Sequence, residues 1–255
     1  MTARLARTIS SLSAVVLTAA CTSYYEIPIE TPIRPKLDVS SFQRVFVAGF
    51  VAGGTEDVDG NLETTRLLRS QLRTKSELRV IDADALPLMD VAFDGREAPP
   101  AANEDKPSGP PAIKDDADLE VYEHVFANVD YWKRIGEEYQ QPLIVTGTVM
   151  FAPQARSGIV QRDQEVYDSF GRRRVVPVRT YMERKGFVLK PKFIFIDGRT
   201  GTVLHSENYR EEILYNANQT SPALSSYFEL MDRLIPSFLS TLSSQRIKGT
   251  RILLQ

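Results

Sequence analysis

The octapeptide RVFVAGFV at residues 44–51 decides the fold class. It is apolar at six of eight positions, which is typical of a strand buried on both faces. A helix is predicted from about Asn61, because acidic Glu63 lies in its first turn and basic residues lie in its last, an order that suits the helix dipole. A short strand follows at 78–82, and a β–loop–α–β order requires a crossover between parallel strands. We therefore expect an α/β domain.

The remaining elements extend this start into a mixed sheet with packing helices. A long second helix is predicted over 117–140, where apolar residues recur at spacings of three and four. A buried strand is predicted at 143–151. Ser221 and Pro222 have the residue types that open a helix, and a broad apolar stripe follows them as a C-terminal helix. A last edge strand is expected near 247–254.

Antiparallel hairpins are expected in the second half of the chain. The stretch 153–190 is polar with partial alternation, and we expect an extended hairpin turning near residues 169–171. A strand at 186–196 is followed by the sequence DGRTG at 197–201, which has glycines where a tight turn needs positive φ. Residues 202–215 are expected to return antiparallel.

The first twenty residues have the pattern of a secretory signal peptide. Arg4 and Arg7 precede an uncharged stretch at 8–20 that is apolar but too short to span a bilayer as a helix. Small residues follow, and Cys21 comes directly after them. Since Cys21 is the chain's single cysteine, the sequence excludes an intrachain disulfide and a zinc site built from several cysteines.

Residues 17–21, LTAAC, resemble a bacterial lipobox. That resemblance implies cleavage before Cys21, and attachment of acyl chains such as palmitate to the new terminus. Acyl chains together hold a protein firmly on a membrane. Thr22, which is not Asp, favours the periplasmic face of the outer membrane over the inner membrane. The alternative is a plain signal peptide with a chance cysteine near its cleavage site.

The predicted organisation has three parts. Residues 1–20 are a lipoprotein signal peptide, and 21–41 are an acylated, proline-containing tether. Residues 42–255 form one periplasmic α/β domain. Within it, the proline-rich acidic stretch at about 94–118 is predicted to be a disordered insertion, since it has too few apolar residues to offset its chain entropy.

The charge balance excludes nucleic-acid binding by general attraction. The chain has 31 Lys and Arg against 33 Asp and Glu, a net charge of −2. Residues 1–20 contain two arginines and no acidic residue, so the mature chain would have 29 basic and 33 acidic residues and a net charge of −4. A mild negative charge does not attract anionic partners.

No motif for catalysis or cofactor binding is found. The sequence contains neither a phosphate-binding Gly-x-x-x-x-Gly-Lys loop nor a Gly-x-Ser-x-Gly elbow. His124 and His205 are interpreted as structural or exposed residues. The oxygen-rich stretch at 57–63 does not match a calcium loop. We expect a protein without enzymatic activity, cofactor or metal, whose one modified residue is Cys21.

Three segments resemble a group of bacterial envelope proteins. They are residues 45–50 with the helix and strand that follow, residues 143–149, and residues 193–204. The group includes the curli-secretion lipoprotein CsgG, the lipoprotein LpoB and the amino-terminal domain of TolB. CsgG inserts two amphipathic hairpins per subunit into a membrane to form a pore, whereas residues 153–190 lack the strand alternation that spanning requires.

These observations favour a lipid-anchored periplasmic protein that binds or scaffolds another component of the cell envelope. The exposed sheet edge or the hairpin at 153–190 would supply the surface for an envelope protein partner. One alternative is a subunit of an outer-membrane secretion channel. Another is an auxiliary lipoprotein of a lipid-transport system. The sequence leaves the oligomeric state open.

Overall fold

The structure, a computed structural model, describes residues 24–93, 113–216, 219 and 221–254. These residues divide into two compact units. The larger one, called the body here, is Lys36–Leu242, and the smaller one combines residues 24–35 with residues 243–254. Cys21 and the predicted signal peptide lie outside the described residues, so both stay predictions.

The smaller unit is a two-stranded antiparallel ribbon. Strand β1 (Tyr24–Ile33) pairs over its whole length with strand β8 (Gln245–Leu254). The first residue of β1, Tyr24, lies opposite Leu254. The C-terminal strand was predicted as an edge strand, and the structure gives it a partner in the segment predicted as a tether.

The body is a mixed sheet with packing helices, as the sequence predicted, and the helices lie on both faces. Its elements in chain order are β2 (Arg44–Gly54), α1 (Gly60–Lys75), β3 (Arg79–Val80), α2 (Leu88–Phe93), α3 (Asp116–Glu120), α4 (Glu123–Phe126), α5 (Val129–Glu138), β4 (Leu143–Tyr167), β5 (Arg173–Asp197), β6 (Val203–Asn208), β7 (Glu211–Asn216) and α6 (Ala223–Leu242).

The strand order in the body is β3-β2-β4-β5-β6, and β7 also pairs with β5. Strand β2 is parallel to both β3 and β4, which confirms the crossover predicted from residues 44–51 and 78–82. The later pairs are antiparallel. The turn between β5 and β6 lies where it was predicted, and Gly201 adopts φ 75° in it, a conformation that glycine takes without steric cost.

Two apolar cores lie on opposite faces of the sheet. Odd-numbered residues of β4, such as Val145 and Phe151, pack with helices α1 and α6. Even-numbered residues, such as Ile144 and Met150, pack with helices α2 to α5. Because side chains alternate along a strand, the buried stretch 143–151 that begins β4 contributes apolar residues to both cores.

The prediction of one long helix over 117–140 is wrong, because the structure has three short helices in this stretch, α3, α4 and α5. The Asn128 side chain accepts a hydrogen bond from the N–H of Tyr131 at 3.1 Å and so begins α5. The indole N–H of fully buried Trp132 donates to the carbonyl oxygen of Val125 at 2.9 Å. This hydrogen bond joins α5 to α4. The apolar residues of the short helices still recur at the helical spacing on which the prediction was based.

The predicted insertion at about 94–118 falls largely on residues 94–112, which lie outside the described residues. Beyond them, Ile113 is buried and its carbonyl oxygen accepts a hydrogen bond from the N–H of Gly54 at 2.9 Å. Helix α3 begins at Asp116. The chain therefore packs into the body again at Ile113.

Candidate interaction surface

The paired strands β4 and β5 continue past the rest of the body as an arm, defined here as residues 154–186, and β7 pairs with its base at residues 184–186. Their register runs without a shift from the pair Leu143 and Asp197 to the pair Tyr167 and Arg173. From Ser157 to Glu183 no residue is buried. At about 3.4 Å per residue, this exposed ribbon extends about 34 Å from the pair Ser157 and Glu183 to its last pair.

Asp168 orders the tip of the arm. Its carboxylate accepts hydrogen bonds from the N–H groups of Arg172 and Phe170, each at 2.9 Å, and from the Arg172 guanidinium at 3.0 Å. The backbone N–H of Arg172, followed by that of Phe170, holds the pKa of the Asp168 carboxyl below its ordinary value. Gly171 closes the turn at φ 74°.

The tip presents aromatic and cationic side chains together. The Phe170 ring is 81% exposed, and the Tyr167 ring is 67% exposed. The Arg172 guanidinium carbon lies 5.3 Å from the Phe170 ring centroid, within the distance at which a cation is attracted to an aromatic face. Arg173 and Arg174 follow directly, so three cationic residues adjoin an exposed aromatic ring.

One face of the arm carries arginines and aliphatic residues but no carboxylate. Directly paired residues share parity, so the even-numbered residues of both strands form this face, named the arginine face here. It contains no Asp or Glu. Its side chains are those of Gln154, Arg156, Val160, Arg162, Gln164, Val166, Arg174, Val176, Val178, Thr180, Met182 and Arg184.

Most arginines of the arginine face have no acidic partner. Arg156, nearest the body, forms an ion pair of 2.8 Å with Glu212 of β7. Within the described part of the chain, Arg162, Arg174 and Arg184 form no ion pair. Val160 and Val178 on the same face are half-buried, and Val178 lies directly opposite Arg162.

The odd-numbered residues form the opposite face, named the tyrosine face here, and its charges are balanced. Arg173 forms an ion pair with Glu165, and Lys185 forms one with Glu183 at 3.1 Å. At its centre, Ile159 lies directly opposite Tyr181, and their exposed fractions are 72% and 66%. An exposed apolar cross-strand pair with ion pairs on either side resembles the core and rim of a protein interface.

The two histidines have separate structural surroundings. The ring nitrogens of His124 lie 2.7 Å and 3.1 Å from the carbonyl oxygens of Val121 and Ala92. His205 lies on β6, and its Nε2 is 3.4 Å from a carboxylate oxygen of Glu207. Among the described residues each histidine thus contacts groups of the fold, and the absence of a catalytic role stays a prediction.

The oxygen-rich stretch at 57–63 is used by the fold. Asp59 caps helix α1 by accepting a hydrogen bond from the N–H of Leu62 at 2.9 Å. Asn61 Oδ1 accepts one from the N–H of Phe50 at 2.8 Å. In the ranges that the structure describes, no group of three His, Cys, Asp or Glu residues could hold a metal ion. None of the helices in these ranges is long and apolar enough to cross a membrane.

Sequence reasoning located the hairpin but missed the difference between its two faces. The signal was present, since every Asp and Glu of the arm outside the turn is odd-numbered: Asp163, Glu165 and Glu183. This pattern of odd-numbered carboxylates can be interpreted only when the turn fixes which residues are paired, because a register shift of one residue would mix the two faces.

No protein-family model and no curated protein matches the sequence. Comparison with solved structures finds a dodecamer of a PelC variant from Paraburkholderia phytofirmans, with 16% identity and a TM-score of 0.36, covering 87% of this chain and 100% of that one. It also finds lipoprotein GNA1162 from Neisseria meningitidis, with 12% identity and a TM-score of 0.34, covering 77% of this chain and 97% of that one.

A third similar structure is a putative neuraminyllactose-binding hemagglutinin homolog from Helicobacter pylori. Its identity is 10% and its TM-score is 0.35, with 82% of this chain and 86% of that chain covered. Values in this range assign no function. The resemblance to the group of CsgG, LpoB and TolB therefore stays a prediction from the sequence.

Proposed function

We propose that this chain is a lipid-anchored, non-enzymatic protein of the periplasmic face of the outer membrane that binds another protein of the cell envelope. The observation that carries the proposal is the exposed pair Ile159 and Tyr181 on the tyrosine face. Large apolar side chains at the centre of a rigid surface are the residues that contribute most to protein association. The partner would therefore cover this pair with apolar residues of its own.

The construction of the arm supports a binding role. From Ser157 to Glu183 the arm contributes no buried residue to the body, yet it retains an uninterrupted hydrogen-bonded register and an ordered tip. An extension without buried residues is expected to contribute little to folding stability. Ion pairs beside the apolar centre, such as Arg173 with Glu165, would form a polar rim that contributes orientation more than affinity.

Site-specific crosslinking in cells tests the protein partner. Gln161 on the tyrosine face and Gln164 on the arginine face are both exposed, lie on the same strand and share a side-chain type. A photoreactive phenylalanine analogue at position 161 is expected to give a discrete protein adduct, because it lies next to the apolar pair. The same analogue at position 164 is the matched control and should not give that adduct.

The crosslinked protein is then identified, purified and mixed with the purified chain. Ile159→Ser and Tyr181→Ser together should weaken that complex at least tenfold, since truncation of a central apolar pair costs a large share of the binding energy. If position 161 gives no protein adduct, or if the double variant binds normally, the proposed function is wrong.

The anchor has its own test at Cys21. Cys21→Ser removes the only thiol that could be acylated, so incorporation of labelled palmitate should fall to background and the protein should leave the membrane fraction. Thr22→Ser is the matched control and should behave like the native chain. Retention of the Cys21→Ser chain on membranes would show that another segment attaches it.

A further inference from the structure

We propose that the arginine face of the arm docks on the phosphate headgroups of an anionic lipid bilayer. This goes beyond the proposed protein partner, which uses the tyrosine face on the other side of the same ribbon. The arm would then lie along the membrane surface and present the tyrosine face away from it.

Charge separates the arm from the rest of the chain. Residues 154–186 contain eight Lys and Arg against four Asp and Glu, a net charge of +4, in a chain whose net charge is −2. The rest of the chain therefore carries −6. The sequence argument against binding an anionic surface holds for the chain average, and it fails for the arm because the positive charge is concentrated there.

The unpaired arginines are arranged along the ribbon. Arg184, Arg162 and Arg174 lie at successively more distal positions of the arginine face. From the register, Arg162 and Arg174 are about 14 Å apart along the ribbon. Guanidinium groups bind phosphate oxygens through paired hydrogen bonds. Because phosphates cover the whole surface of a bilayer, the spacing of these arginines does not have to match a fixed arrangement of phosphates.

Apolar side chains lie between the arginines along this face. Met182, Val160 and Val178 are half-buried, and Val166 and Val176 are exposed toward the tip. On a membrane, such side chains enter the headgroup layer while the arginines extend to the phosphates. A face with no carboxylate adds no repulsion to this contact.

The side chains at the tip favour a lipid bilayer over an acidic protein as the partner of the arginine face. The exposed rings of Phe170 and Tyr167 lie beside Arg172, Arg173 and Arg174. Aromatic rings concentrate at membrane interfaces, and a single apical Phe needs no shaped pocket there. The charged residues in the middle of the ribbon exclude a spanning orientation, which places the arm on the surface of the bilayer.

A fluorophore at the tip tests this docking. The full chain with Ser169→Cys is purified in detergent, labelled with an environment-sensitive dye and reconstituted into vesicles. In vesicles of phosphatidylcholine with about 30% phosphatidylglycerol, the emission should rise several-fold and should be quenched by spin-labelled lipid. It should stay low in phosphatidylcholine alone, and about 0.5 M NaCl should reduce the rise. The chain with native Ser169 reports any dye attached to Cys21.

Two double variants distinguish an effect of the arginine face from an effect of the total charge of the arm. Arg162→Gln with Arg174→Gln removes two charges from the arginine face, and the rise should be lost. Arg179→Gln with Lys185→Gln removes two charges from the tyrosine face away from the tip, and most of the rise should remain. Equal loss in both variants, or an equal signal in uncharged vesicles, would overturn the proposal.

The same assay distinguishes other occupants of the arginine face. A signal in lipid-free detergent that grows with protein concentration would mean that a second copy covers this face, and the lipid assignment would be wrong. A signal that requires an added acidic protein would refute it equally. Since the protein crosslink at position 161 uses neither vesicles nor these arginines, failure here leaves the proposed function intact, and the reverse also holds.

Discussion

Excision of residues 157–183, with Arg156 joined to Arg184 through an Asn-Gly turn, is expected to abolish partner binding while leaving the body folded. Arg156 and Arg184 are directly paired, so a two-residue turn of this sequence can close the hairpin at that point. None of the removed residues is buried. The free energy of unfolding should therefore change by less than about 1 kcal/mol.

Two measurements check the excision. Copurification of the partner identified at position 161 should disappear, and thermal unfolding followed by circular dichroism should stay cooperative with a similar Tm. As a control, replacing Ser169 and Phe170 with Asn and Gly alters the tip but keeps both faces, so the partner should still copurify. A binding surface elsewhere would be indicated if the excised chain retained the partner.

Trp132→Ala is expected to destabilise the body by about 3–5 kcal/mol. The indole is fully buried in the core that α2 to α5 form on one face of the sheet, and its N–H donates to the carbonyl oxygen of Val125. The substitution leaves a large cavity and an unsatisfied carbonyl. Urea unfolding measures the loss and should be followed by circular dichroism, because Trp132 is the chain's only tryptophan.

Controls at the same site separate packing from the hydrogen bond. Trp132→Phe retains most of the apolar volume, so it should lose less stability than Trp132→Ala. Exposed Lys133 is the neighbour along the chain, and Lys133→Ala should change the free energy of unfolding by no more than about 0.5 kcal/mol. A cost below about 1 kcal/mol for Trp132→Ala would contradict the packing described for this core.

The sequence predicts the sheet better than it predicts the helices. Residues 44–51 and 78–82 specify parallel strands because only a crossover connects them. The apolar spacing over 117–140 predicts one helix, yet three short helices satisfy the same spacing. The break between α4 and α5 depends on the Asn128 cap and on the hydrogen bond of Trp132 to Val125, and these contacts become visible only in three dimensions.

Two features could not be predicted because they depend on partners distant in sequence. Pairing of β1 with β8 joins residues that are more than 200 positions apart, and nothing local in either strand identifies the other. The two faces of the arm depend on register. Averaged along the strand, residues 154–186 are merely polar, whereas the pairing places every carboxylate outside the turn on the tyrosine face.

The ribbon of β1 and β8 makes residues 24 and 254 equivalent as attachment points. Since Tyr24 lies opposite Leu254, an anchor attached after residue 254 would enter the ribbon at the same end as one attached before residue 24. A circular permutant with these ends linked would keep both strands in register, since neighbouring ends need only a short linker. Its new termini could lie at the tip of the arm, where residue 169 already begins a solvent-exposed turn.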